Sequence, residues 1–211
     1  MTRINVYGSQ RKGHQHLWSF VHYWTFFARR QETDLRTRRT LRALREAFLA
    51  LRKERALERI TVRELCEHAE VSKATFYLHY HSIVDLSCEL QRDLVRRVID
   101  ELEAPDSFLA DPRRFASELF SAFIAHAGEV DTLFSQGQEH VLLESVEREL
   151  RARILDEHPS LADDLRFNVL LTYQVHGSHA AYMCHARGVG EKDRQVVIGA
   201  IADAAEAVAH I

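Results

Sequence analysis

Residues that break helices are scarce in this sequence, and they fall between segments with the apolar repeat of an amphipathic helix. Three Pro and eight Gly occur in 211 residues, and both residue types are disfavoured inside helices. In the first clear segment, apolar residues recur at three- and four-residue steps, at Leu41, Leu44, Phe48 and Leu51. No strand-like alternation of useful length is visible in the sequence. The sequence therefore predicts an all-α protein.

The formal net charge of −3 is an average over two unlike halves. Residues 1–104 hold 19 Lys+Arg and 14 Asp+Glu, a net charge of +5, whereas residues 105–211 hold 9 and 17, a net charge of −8. Such asymmetry indicates two parts with different partners, and a polyanion would bind the first part. The hydrophobic share of 46% and the charged share of 28% exclude a disordered chain and a multi-pass membrane protein.

Residues 1–34 contain an aromatic-rich run, 17–28, that lies between basic residues. The run is shorter than the roughly 20 residues that span a bilayer. Arg29 and Arg30 follow it, where a signal peptide would have small residues. Three interpretations stay open: an interfacial membrane helix, an extra helix packed on the domain or on a second copy, and a poorly ordered start.

Residues 60–80 predict two short helices joined by a tight turn. Thr61 and Glu64 have the Thr-x-x-Glu spacing of a capping box, which begins a helix. Ser72 is a good N-cap for a second helix, from Lys73 to about Tyr80. Two such helices separated by about three residues form a helix-turn-helix, whose second helix enters the major groove of DNA.

The outward side chains of this second helix suit DNA. Lys73 can donate to guanine acceptors, whereas Ala74 and the methyl group of Thr75 can contact a thymine methyl group. Tyr77 and His79 have polar tips suited to phosphate oxygens. From spacing alone, a plain helical hairpin with a surface tyrosine and histidine remains the alternative.

Arginines crowd the first turns of the helix that begins near Asp34. They are Arg36, Arg38, Arg39, Arg42 and Arg45. Cations at a helix N-terminus oppose the helix dipole, so helix stability does not explain them. A solvated surface and contact with phosphates both remain open, and the neighbouring helix-turn-helix favours phosphates.

The stretch from Arg38 to Leu90 resembles the DNA-binding domain of TetR-family transcriptional regulators, above all in Val71-Ser72-Lys73-Ala74-Thr75-Phe76-Tyr77-Leu78-His79-Tyr80. The resemblance implies three DNA-binding helices, a connecting fourth helix and a helical C-terminal domain for effector binding and dimerisation. It also implies base contacts by Arg63 and by the first residues of the recognition helix. The resulting DNA-binding set is Arg36, Arg38, Thr61, Arg63, Ser72, Lys73, Ala74, Thr75, Tyr77 and His79.

Two residues depart from the family pattern. Glu70 stands in the turn where Gly is usual, and Glu is less at ease with a positive φ angle. Ile83 stands near the start of the fourth helix where the family usually has Lys. That change removes an expected phosphate contact, unless His81 or Arg36 replaces it.

The sequence divides into an N-terminal extension (1–34), a helix-turn-helix domain (35–81), a connecting helix (82–104) and a C-terminal domain (105–211). Further helical segments are predicted at 112–127, 138–157, 161–187 and 191–210, with interruptions near Gly128, Gly137, Pro159 and Gly188. By the same resemblance, the last two segments would form the interface of a homodimer. The His176-Gly177 pair also resembles TetR-like regulators of the dihydroxyacetone-kinase group.

Aromatic residues of the C-terminal domain could line an effector pocket or could form core, and the sequence does not decide between the two. The candidate pocket residues are Phe123, Phe134, Phe167, Tyr173 and His176.

No metal or cofactor site is predicted. His176, His179 and His185 lie near Cys184, but no third ligand has a recognisable spacing. The three cysteines are widely spaced, which fits a reduced, cytoplasmic compartment. No nucleophile elbow, phosphate loop or paired-carboxylate motif occurs in the sequence, so an enzyme is not expected.

The sequence therefore predicts a cytoplasmic, homodimeric regulator without a membrane span. It would bind a pseudo-palindromic operator in double-stranded DNA, as a repressor that responds to a small-molecule effector. The alternative is a TetR-like regulator or adaptor whose C-terminal domain binds a partner protein instead of a small molecule.

Overall fold

The computed structural model describes residues 35–102 and 107–209, and the predictions for residues 1–34 lie outside these ranges. Within them the chain forms helices and no strand, which confirms the all-α prediction. The helices are α1 (35–54), α2 (Val62–His68), α3 (Lys73–Tyr77), α4 (Ile83–Asp100), α5 (Ser107–Ala110), α6 (Pro112–Ala125), α7 (Ala127–Phe134), α8 (Glu139–Glu157), α9 (Leu165–His185) and α10 (Glu191–Ala209).

Helices α1 to α3 form the N-terminal unit around the apolar stripe of α1. Leu44, Phe48 and Leu51 of that stripe are buried, and Phe76 of α3 joins the same core. Helix α3 ends at Tyr77, earlier than the sequence predicts, although helical hydrogen bonding continues for another turn.

Both short helices begin at the predicted caps. The Thr61 hydroxyl accepts a hydrogen bond from the Glu64 amide at 3.2 Å, and the Ser72 hydroxyl accepts one from the Thr75 amide at 3.0 Å. Each cap satisfies an amide that would otherwise have no partner in the first turn of a helix. The caps therefore fix where α2 and α3 start.

The turn between α2 and α3 forces Glu70 into the left-handed region of the backbone, with φ of 54°. A residue with a Cβ pays about 1–2 kcal/mol for this conformation, and glycine does not. The departure from the family pattern at this position therefore has a structural cost.

Glu70→Gly is expected to stabilise the fold by about 0.5–1 kcal/mol, because relief of strain exceeds the extra entropy that glycine gives the unfolded chain. Urea unfolding followed by circular dichroism measures the change. Gln136→Gly is a matched variant, since Gln136 also has a positive φ, of 58°. A loss of stability in Glu70→Gly would show that the glutamate side chain contributes more than its strain costs.

Helix α4 connects the N-terminal unit to the rest of the molecule. The Ser82 hydroxyl caps it by accepting from the Asp85 amide at 3.1 Å, while the Asp85 carboxylate accepts from the His81 amide at 3.0 Å. Leu86 and Leu94 are fully buried in a core that is continuous with that of α1 to α3. Ile83, at the family's lysine position, is also buried, so this position contributes to packing.

Helices α6 to α10 form the C-terminal part, in which α10 packs on α6 and α9 and α8 packs on α4 and α9. Helix α7 runs through Gly128, where the sequence indicates an interruption, and the break between α6 and α7 falls at His126 instead. A glycine inside a helix costs only about 1 kcal/mol, and α7 buries Leu133 and Phe134. Packing therefore outweighs the local preference at Gly128.

Candidate nucleic-acid interface and cavity

The outward surface of α3 carries the side chains that the sequence assigns to bases and phosphates. Lys73, Ala74 and Tyr77 are exposed, whereas Thr75 and His79 are half-buried. Because Phe76 is buried behind them, the helix presents these residues from a fixed core. The structure thus places Lys73, Ala74, Thr75 and Tyr77 on one short helix, with His79 two residues beyond its end. Leu78, which is 80% exposed, extends this surface, although the predicted DNA-binding set does not include it.

The hydroxyl of Thr75 already makes a hydrogen bond within the protein. Its oxygen lies 2.8 Å from the hydroxyl of Ser72, which also caps α3. That hydrogen bond fixes the orientation of the Thr75 hydroxyl, and the methyl group of the same side chain can contact a thymine methyl group.

Arg63 lies in the first turn of α2 and pairs with Glu67 one turn later. Its Nε donates to the Glu67 carboxylate at 2.8 Å, and this hydrogen bond lowers the pKa of Glu67. Both side chains are exposed, and an exposed pair of this kind contributes little to stability. Arg63 can therefore leave Glu67 for DNA at small cost.

The arginines of α1 divide into two groups. Arg36 and Arg38 are exposed in its first turn, as a phosphate contact requires. Arg45 instead donates to the carboxylates of Glu89 at 2.6 Å and Asp93 at 3.0 Å, both on α4. Arg45 therefore joins α1 to α4 through two ion pairs, a role that neither interpretation of the arginine run includes.

Tyr80 belongs to the same cluster. Its hydroxyl donates to Glu89 at 3.0 Å. Burial and the neighbouring Glu89 carboxylate raise the pKa of Tyr80 to about 12. The hydroxyl thus stays protonated and holds the end of the helix-turn-helix against α4.

A cavity of about 280 Å³ lies within the C-terminal part, between α6, α7, α8 and α9. Its walls are mainly apolar and aromatic, and include Phe115, Leu119, Phe120, Phe123, Val130, Phe134, Leu142 and Met183. Arg187, Gly188 and Glu139 also line it and are exposed, so the cavity reaches the surface near them. A largely apolar cavity of this size suits a small organic ligand.

The five residues predicted for an effector pocket do not lie together in the structure. Phe123 and Phe134 line the cavity. Phe167 is buried in the core beside Phe108, and Tyr173 is exposed on α9. His176 hydrogen bonds to Glu147 of α8 at 3.2 Å, outside the cavity lining.

The cavity has a polar wall on α9. The Gln174 amide donates to the Ser178 hydroxyl at 2.9 Å, and His179 lines the same wall. Burial lowers the pKa of His179, and nearby His176 acts in the same direction. His179 is therefore a neutral imidazole near pH 7, able both to donate and to accept a hydrogen bond.

Large apolar side chains lie exposed along the opposite side of α9. Leu165, Val169 and Tyr173 follow each other at four-residue steps and are 81%, 66% and 60% exposed. Val196 of α10 is 66% exposed. A contiguous apolar stripe of this kind is typical of an interaction surface.

Among the described residues, no group of three or more His, Cys, Asp or Glu side chains is arranged to hold a metal ion. Within the same ranges, no helix has both the length and the apolar character needed to cross a membrane.

The capped α2 and α3, the tight turn and the outward basic and polar residues define a helix-turn-helix DNA-binding protein. Residues 44–88 match the family model described as bacterial regulatory proteins, tetR family. The match covers residues 44–88, so the helix-turn-helix part of the chain is similar to the DNA-binding domain of TetR-type transcriptional regulators.

Two individual proteins are similar to the chain. The uncharacterized HTH-type transcriptional regulator YxbF of Bacillus subtilis (strain 168) is 26% identical over 108 residues, which cover 49% of this chain and 28% of that relative. The dihydroxyacetone kinase operon activator DhaS has a solved structure with a TM-score of 0.44 and 15% identity, covering 81% of this chain and 92% of that one.

Proposed function

We propose that the chain is a transcriptional repressor that binds a pseudo-palindromic operator as a homodimer and releases it in response to a small-molecule effector. The observation that carries the DNA-binding part is the outward surface of α3, where Lys73, Ala74 and Tyr77 are exposed over the buried Phe76. In this role the protein acts in the cytoplasm and has no catalytic step.

The contacts divide by chemistry. Lys73 and Arg63 would donate to guanine acceptors in the major groove, and the methyl groups of Ala74 and Thr75 would contact thymine. Tyr77 and His79, together with the exposed arginines of α1, would bind phosphates and fix the position of α3 on the duplex.

The stripe on α9 supports a homodimer. Burial of Val169 and Tyr173 in an interface would remove apolar surface from water, and this lowers the free energy. A two-fold axis through this face would use the same surface on both subunits. To bind successive major grooves, the two copies of α3 would then have to lie about one DNA turn, roughly 34 Å, apart.

The cavity supports a small-molecule effector over the partner-protein alternative. It is open near Arg187 and Glu139, so a ligand has a path to the interior. Phe120 and Phe123 would pack on an apolar body, and Gln174 and His179 would bind a polar group. Such a ligand releases DNA if it binds the non-binding arrangement of the dimer more tightly.

Selection from random DNA followed by footprinting tests the proposal. We expect a protected site with two similar half-sites about 10 base pairs apart between centres. Affinity should fall steeply with salt, because phosphate contacts release counterions. Protection of one asymmetric half-site by a monomer would contradict the homodimer, and absence of sequence selectivity would contradict the regulator.

A further inference from the structure

Arg52 of α1 is an unusual residue, since its side chain is charged and the residue is only 1% exposed. Arginine is almost never fully buried without a charged partner. Here Nη1 donates to the Arg55 carbonyl at 2.7 Å and Nη2 donates to the Ser135 carbonyl at 3.2 Å. Burial lowers the pKa of Arg52, yet a guanidinium keeps its charge in proteins. The hydrogen-bonding partners of this buried cation are therefore main-chain carbonyls.

One of those carbonyls belongs to the other part of the molecule. Ser135 directly follows Phe134, the last residue of α7, and its own backbone is extended. The buried Gln91 of α4 donates to the Leu133 carbonyl, in the last turn of α7, at 3.0 Å. We call this group the α7 clamp. It consists of Arg52, Gln91 and the carbonyls of Leu133 and Ser135.

The same helix forms a wall of the cavity. Ala127, Val130, Asp131 and Phe134 of α7 line it, and so does Ser135 itself. A ligand that fills the cavity therefore contacts the helix whose end is held by α1 and α4. Because packed helices shift as units, movement of α7 would change the environment of the clamp.

We infer that Arg52 is a positioning residue that couples the cavity to the DNA-binding surface through the α7 clamp. Occupancy of the cavity displaces the last turn of α7, and Arg52 transmits that displacement to α1, while Gln91 transmits it to α4. This inference rests on the proposed function and names its route of regulation. A purely structural role would give a change in stability without a change in coupling.

A double-mutant cycle with operator affinity as its readout separates these roles. Val130→Phe places a permanent side-chain occupant against the cavity from α7, since Val130 is half-buried and lines it. Arg52→Met keeps a long apolar side chain, and an apolar replacement of a buried charge is often tolerated. Lys53→Met is the matched control, because Lys53 is the exposed neighbour of Arg52 in α1.

We expect Val130→Phe to change operator affinity about tenfold in the wild-type and Lys53→Met backgrounds, a typical size for allosteric coupling. In the Arg52→Met background the same substitution should change affinity less than twofold. A tenfold change that persists with Arg52→Met would overturn the inference, and so would a folded Val130→Phe variant with unchanged affinity. If the wild-type protein selects no DNA sequence, the proposed function fails instead.

If Val130→Phe does not fold, as judged by circular dichroism, the dye 8-anilinonaphthalene-1-sulfonate replaces it as the occupant. Its affinity is measured with and without operator in the wild type and in Arg52→Met, since coupling between two ligands is reciprocal. An operator-dependent dye affinity that disappears in Arg52→Met supports the inference. Equal coupling in both proteins, or no coupling in the wild type, contradicts it.

Discussion

Lys73→Ala is expected to weaken operator binding by at least about 30-fold and to relax the preference at one base pair of each half-site. Lys73 is exposed in the first turn of α3, where the N-terminal residues of a recognition helix contact base edges. Loss of one such base contact costs about 1–3 kcal/mol, and a homodimer would lose it in both half-sites. Fluorescence anisotropy at fixed salt, on the selected operator and on its single-base variants, measures both effects.

Two further variants serve as the control and the comparison for Lys73→Ala. Lys192→Ala removes the same charge from an exposed position on α10 and should leave affinity within about twofold. Arg38→Ala should weaken binding to all sequences alike, because a phosphate contact carries no sequence information. If Lys73→Ala also weakened operator and random DNA equally, Lys73 would be a phosphate contact and the proposed base assignment would be wrong.

The helix-turn-helix could be predicted from sequence because its determinants are local. Thr61 and Ser72 each cap an amide three residues further along the chain, and both hydrogen bonds form as the spacing predicts. Glu70 adopts the positive φ that the turn requires, at a position where the family resemblance already drew attention to it. The remaining positions of the DNA-binding set stay predictions until contacts are measured.

Contacts between distant segments could not be predicted in this way. Arg45 looks like its neighbours in the arginine run, but its partners Glu89 and Asp93 lie 44 and 48 residues later. Arg52 is equally unremarkable in the sequence, although it is buried against Ser135, 83 residues away. Charge patterns alone do not distinguish an exposed arginine from one that joins two parts of a fold.

Helix α9 shows why the residues predicted for the effector pocket do not all line the cavity. Its apolar residues meet different surroundings, with Phe167 in the core, Val175 at the cavity and Tyr173 facing solvent. A helix with apolar residues on several faces gives no single stripe from which a core face can be inferred. Aromatic composition therefore identified two lining residues of α6 and α7, but not the polar wall formed by Gln174 and His179.

Val169→Glu is expected to convert the proposed homodimer to a monomer and to weaken operator binding by more than about 100-fold. Val169 lies in the middle of the exposed stripe on α9, between Leu165 and Tyr173. A two-fold interface through this face would bury two carboxylates without partners, which costs several kcal/mol. Each monomer would then bind only one half-site, so the second set of contacts would no longer contribute to affinity.

Sedimentation velocity and operator binding on the same samples test this expectation, and Leu109→Glu serves as the control. Leu109 is also a large exposed apolar residue, but it lies on α5 and is not one of the stripe residues of α9. The control should remain dimeric with unchanged affinity, because an exposed carboxylate there meets only water. If Val169→Glu remained a dimer, the interface would use another face. If it became a monomer with full operator affinity, binding would not require two copies of α3.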